Sequence, residues 1–182
     1  MRPAVDAEPA AAAAIDEVLD RFGPGALRVA AGAGTRLVHV RPGEGYCDRS
    51  AVLRRLASRI DDWPVPPAGL FVVEERTVYL RSTSAMTVAH EFAHALDCAL
   101  GGGVYLSGID PRIRSAFKTA RRFITPYAAS GIDEYFAESL RAWVEANDPR
   151  SPWPRATRAR LRAIDPAIAA VLETIFAHDL IP

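Results

Sequence analysis

The sequence predicts an α+β fold, with a small twisted sheet packed against a mostly helical C-terminal half. Three observations carry that reading. The strand-like runs come early, at residues 36–40, 69–74 and 77–81, each short, rich in Val, Leu, Phe or Tyr, and bounded by Gly, Pro or a charged turn. Helical spacing of apolar residues takes over after Ser84 and continues to the end of the chain. Strands first and helices afterwards is the order of an α+β domain rather than of alternating βα units.

The elements follow in order. Residues 1–9 read as a loose arm, and residues 10–182 as a single domain, a length that can bury a core without disulfide or metal staples. A helix is predicted over residues 9–22, stopped by Gly23-Pro24-Gly25. Residues 27–30 read as a short strand, and Arg36-Leu37-Val38-His39-Val40 as a longer one. Asp48 is a candidate cap for a helix to Ile60, with Val52, Leu53, Leu56 and Ile60 on one face. Trp63-Pro64-Val65-Pro66-Pro67 is a stiff connector, because each proline fixes its own φ and restricts its predecessor. The two runs 69–74 and 77–81 form a hairpin turning near Glu75-Arg76. Ser82, Thr83 and Ser84 offer caps for a helix to Leu100, which Gly101-Gly102-Gly103 ends. Asp110-Pro111 and Asp165-Pro166 open two further helices by the cap-then-proline pattern, the second over residues 166–178, and a helix over 132–146 lies between them.

Composition excludes several classes of function. The formal net charge is +0, so nothing favours nucleic acid or an anionic membrane. No run reaches the ~18 apolar residues that span a bilayer. Asp6 and Glu8 stand where the apolar segment of a secretory signal would begin, so the expectation is a cytoplasmic protein or one exported without such a signal. Cys47 and Cys98 show no CxxC spacing and are expected as free thiols. Arg155, Arg158, Arg160 and Arg162 are expected to form a solvated helix face. There is no phosphate-binding glycine loop.

The chemistry lies in the run His90-Glu91-Phe92-Ala93-His94. The helix that carries it is apolar almost all round, through Met86, Val88, Ala89, Phe92, Ala93, Ala95, Leu96 and Ala99, so it should be buried. Its polar exceptions after the first turn are His90, Glu91, His94 and Asp97, and buried polar groups need partners. A zinc ion supplies one. Residues four apart share a helix face, so both imidazoles can converge on one tetrahedral ion, with Glu91 beside the open coordination position to move a proton. At average residue usage such a run arises by chance in under ~1% of chains of this length.

A catalytic zinc takes a third protein ligand and keeps one position open. His39 and His178 qualify by residue type, but one sits in a strand and the other near the C-terminus, and both read as ordinary. Glu134 and Glu138, in Asp133-Glu134-Tyr135-Phe136-Ala137-Glu138, lie one helical turn apart and face the same way, so spacing alone leaves the choice between them open. Glu138 is also placed to hold a ligating histidine from behind, and Asp97 is a second candidate for such a role.

HEFAHALD followed some forty residues later by YAASGIDEYFAES resembles the catalytic domain of anthrax lethal factor and the related Pro-Pro endopeptidases. The resemblance covers the last two-thirds of the chain and, in outline, the first third. It implies a zincin-like fold and a zinc endopeptidase holding one zinc ion on His90, His94 and Glu134. It further implies Glu91 as general base and acid, and Tyr127 as the residue that stabilises the oxyanion. The implied partner is a peptide or protein substrate, proline-rich in the closer relatives. Members of that family are mostly secreted, which the absent signal does not match. Two other readings accommodate the same run: an intracellular regulatory peptidase that cuts a repressor-like partner, and a zincin-like binding module without catalysis.

Overall fold

The computed structural model describes residues 1–152 and 154–177. Its sheet has four strands in the order β1-β2-β4-β3: β1 (Ala4–Asp6), β2 (Arg36–His39), β3 (Gly69–Val72) and β4 (Thr77–Leu80). β1, β2 and β4 run parallel, and β3 returns antiparallel along β4. The expected loose arm is therefore corrected in its middle. Ala4–Asp6 pair with residues 36–38, and Arg2 is tied to Asp16 and Asp20. Three residues are too few to show an alternating pattern, so this strand was invisible to periodicity.

Between β1 and β2 lie α1 (Pro9–Asp20) and α2 (Gly23–Gly32). The strand expected at residues 27–30 is part of α2. Pro24, taken as a stop, occupies the first turn of a new helix, where its missing N–H costs nothing. The single helix expected over residues 48–60 is two short ones, α3 (Tyr46–Arg49) and α4 (Ala51–Arg55). The Glu75 carboxylate accepts from Ser50 Oγ at 2.7 Å and from Val52 N at 3.0 Å, while Ser50 Oγ accepts from Leu53 N. These contacts break the helix at Ser50, and Leu56, expected on the apolar face, is exposed.

The expected hairpin forms, with a single 3-10 turn at Val73–Glu75 and Arg76 in the left-handed region at φ 50°. α5 (Ala85–Leu100) begins with the Ser84 hydroxyl accepting from Thr87 N, as the sequence predicts. Then come α6 (Leu106–Ile109), α7 (Pro111–Thr119) capped by Asp110, a single 3-10 turn at Tyr127–Ala129, and α8 (Ile132–Trp143). α9 (Arg158–Ile164), capped by Thr157, carries most of the arginine cluster. Its face is not simply solvated: the Arg158 guanidinium lies 4.4 Å above the Trp143 ring and that of Arg162 at 5.3 Å. α10 (Pro166–Ala177) closes the fold, and His178 lies outside the described residues.

The pleat sorts the sheet's side chains. Leu37, Val78 and Leu80 face α5 and join the main core with Phe92, Leu96, Phe136 and Leu140. Val38, Val40, Val72 and Tyr79 face the other way and pack with Tyr46. α5 is thus wedged between the sheet and α8, which fixes the functional residues of both helices against each other. Cys47 and Cys98 are free thiols. No helix among the described residues is long and apolar enough to cross a membrane.

Candidate metal centre and active site

His90 and His94 stand one turn apart on the face of α5 that meets the first turn of α8. With Glu134 they form the group of described residues whose ligand atoms all lie within 4.8 Å of one another. Their contacting atoms make a nearly regular triangle. His90 Nε2 lies 3.2 Å from His94 Nε2 and 3.0 Å from Glu134 Oε2, and His94 Nε2 lies 3.4 Å from Glu134 Oε2. Ligand bonds of ~2.0–2.1 Å in a tetrahedron separate neighbouring ligand atoms by ~3.3–3.4 Å, so the triangle has the dimensions of one zinc face. His39 lies in β2, outside this group.

The hydrogen-bonding pattern agrees. Glu134 Oε2 is buried and makes no hydrogen bond of proper geometry, although two imidazole nitrogens stand close by. An acceptor facing nitrogens that it does not properly bond would be satisfied by a cation among them. His90 Nδ1 lies 2.9 Å from Glu138 Oε1, which leaves Nε2 as the ring nitrogen turned toward the group. Of the two glutamates, Glu134 is the one that reaches both histidines, and Glu138 stands behind His90. Glu138 is itself held by Arg141, which donates from Nε and Nη2 at 2.9 Å each, and by Thr125 Oγ1 at 2.6 Å. Both Glu138 and Arg141 are buried.

Asp97 departs from expectation. Its carboxylate accepts from Ser107 N at 2.8 Å and Ser107 Oγ at 2.6 Å, so it fastens α6, just past the glycine-rich loop, to α5 and bonds no histidine among the described residues. His94 Nδ1, buried, has no hydrogen-bond partner among the described residues. Burial raises the Asp97 pKa to about 6, against the lowering effect of the Ser107 bonds.

The charges are strongly coupled. Burial opposes protonation of His90, but the adjacent Glu134 and Glu138 carboxylates outweigh it and push its pKa up to about 10. Burial likewise opposes ionisation of Glu134, yet the two histidines hold it well below the usual carboxylate range. Glu138 is brought down to about 2, with burial overcome by His90 and Arg141. The Glu134 and Glu138 carboxylates thus bring negative charge up against the imidazoles, in surroundings that suit a cation.

Glu91 projects beside the triangle, with its pKa raised by burial against the lowering influence of both histidines. The backbone of β3 lies against it: a Cβ on Gly69 would stand 2.7 Å from Glu91 Cγ and 3.1 Å from Thr87 Cγ2. Glycine at 69 is what lets the strand pass so near the acid. Tyr127 is 55% exposed, with its ring 5.5 Å from that of His90 and its hydroxyl donating to Glu134 Oε1 at 3.0 Å. A cleft of about 280 Å³ is lined by Gly69, Thr87, His90, Glu91 and Tyr127.

β3 is an edge strand beside this cleft. Arg81 N donates to Ala68 O, and bonded pairs alternate in an antiparallel ladder, so Leu70 and Val72 bond β4. Gly69 and Phe71 consequently turn their N–H and C=O groups toward the free edge. The sequence alone did not identify which strand this would be.

Fold and site together define a zincin-like architecture in which a His-His-Glu group is shared between the central helix α5 and the first turn of α8. No known family profile matches the sequence, and no curated protein matches it. Among solved structures, the Pro-Pro endopeptidase from Paenibacillus alvei matches with a TM-score of 0.67 at 18% identity, over 96% of this chain and 96% of that one. The resemblance expected from the paired motifs thus holds at the level of the fold.

Proposed function

We propose that this chain is a zinc-dependent endopeptidase. The observation that carries the proposal is the triangle of His90 Nε2, His94 Nε2 and Glu134 Oε2, with zinc-like dimensions and Glu91 beside it. Zinc held there would supply a Lewis acid that polarises a scissile carbonyl and acidifies water.

The chain's own residues do the rest. The outward N–H and C=O groups of Gly69 and Phe71 receive an extended peptide by strand addition, which brings a peptide bond over the site. Glu91 accepts a proton from the attacking water and passes it to the departing amine, a task suited to a carboxyl whose pKa burial has raised. Tyr127 releases Glu134 and donates its O–H to the developing oxyanion, for which its exposed position leaves room. His90 is kept in the correct tautomer by Glu138. An intact Glu91 speaks against a purely binding role, since a metal-holding module has no use for a base at that point.

Proline-rich peptides are the first substrates to try, because the neighbouring fold is that of a Pro-Pro endopeptidase. The test is digestion of a peptide library that includes Pro-Pro sequences. Cleavage should stop with a chelator and return with zinc. No cleavage anywhere in the library by fully zinc-loaded protein would contradict the proposal.

A further inference from the structure

Thr125 stands at the start of the loop that carries Tyr127, outside the reaction as described. Its hydroxyl donates to Glu138 Oε2 at 2.6 Å and accepts from Ala128 N at 3.3 Å. One hydroxyl has a hydrogen and two lone pairs, so both bonds exist together. The other oxygen of the same carboxylate is bonded to His90 Nδ1 at 2.9 Å. A continuous line therefore runs from His90 through Glu138 and Thr125 to the residue after Tyr127. Glu138 cannot pivot in that line: Arg141 grips both its oxygens and is itself fixed to the carbonyl of Ala146 at 3.0 Å.

The remaining polar bonds of the loop are local. Ala129 N bonds Pro126 O, while Ser130 bonds Tyr127 O through both N and Oγ. Among the described residues, the loop's side chains reach α8 through Thr125 and through Tyr127's own bond to Glu134. The second of these must break whenever Tyr127 turns to a substrate. At that moment the Thr125 bond is the polar tie that keeps the tyrosine in register with the histidine.

We propose that Thr125 is a positioning residue that couples His90 to the loop bearing Tyr127, so that filling the His90-His94-Glu134 group orders that loop. This rests on the peptidase reading above for its kinetic part, but not for its structural part. The wild type is compared with Thr125→Val, which keeps the shape and loses the hydroxyl, and with Thr125→Ser, which keeps the hydroxyl. Three quantities are measured: kcat and KM on a peptide that the wild type cleaves, zinc affinity by chelator competition, and amide hydrogen exchange of residues 125–130 with and without zinc.

Thr125→Val should still take up zinc. Its kcat should fall by ~10–100-fold, the scale of a small misplacement of a catalytic group, with KM changed by less than about twofold. Zinc should slow exchange of residues 125–130 in the wild type and in Thr125→Ser, and not in Thr125→Val. Thr125→Ser should recover most of the kcat. Unchanged zinc-dependent protection in Thr125→Val overturns the proposal, as does a loss of activity that merely follows loss of zinc or that serine does not restore. Exchange in the metal-free proteins reads the tie separately. Faster exchange at residues 125–130 in Thr125→Val supports it even should the wild type prove to take up no zinc, a result that would count against the proposed function instead; equal exchange overturns it.

Discussion

Glu91→Gln is expected to abolish peptide hydrolysis and leave the metal in place. The amide has the shape of the carboxylate but cannot accept the water's proton, so the loss should be of the order of 10²–10⁴-fold in kcat. Glu91 contributes no atom to the triangle of His90, His94 and Glu134, so zinc stoichiometry should match the wild type. Steady-state kinetics with metal analysis on the same preparation checks both halves. Activity retained to within about tenfold would remove Glu91 from its assigned role, being less than general-base catalysis ordinarily supplies.

Glu138→Ala is expected to be the most damaging substitution outside His90, His94 and Glu134. It strips a buried guanidinium, Arg141, of its carboxylate, and leaves His90 Nδ1 and Thr125 Oγ1 without their partner. Breaking a buried ion pair by removing one member costs about 3–5 kcal/mol. Domains of this kind are stable by about 5–15 kcal/mol, so the variant should be marginal. Zinc affinity should drop by ~10–100-fold, as when the group behind a ligating histidine is lost. Glu138→Gln keeps one acceptor for His90 and should lose less of both. Thermal unfolding and chelator competition measure the two effects; an alanine variant with wild-type melting and zinc affinity would show that Glu138 holds nothing.

How much of this was legible in the sequence varies with how local each cause is. The helix through His90 and His94 was readable because its cap, its apolar faces and its ligand spacing all lie within one segment. Asp110, Asp165 and Ser84 marked helix starts for the same reason. Which glutamate approaches the histidines was not readable from spacing, since Glu134 and Glu138 share a face; what separates them is Arg141, which claims Glu138, and the approach of α8 to α5. Asp97 turned to Ser107, ten residues away across a glycine-rich loop, where helix periodicity gives no guidance. The break between α3 and α4 depends on Glu75 arriving from the hairpin, a tertiary contact that overrides an otherwise continuous apolar face. β1 exists only because β2 offers it a parallel partner.

The central claim is that His90, His94 and Glu134 hold a zinc ion. Metal analysis of the purified chain, as isolated and after reloading with zinc, tests it directly, with His94→Ala and Glu134→Ala beside it. Near-stoichiometric zinc in the wild type, with uptake lost or sharply weakened in both variants, is the expected result. A wild-type chain that takes up no near-stoichiometric zinc even after reloading would contradict it.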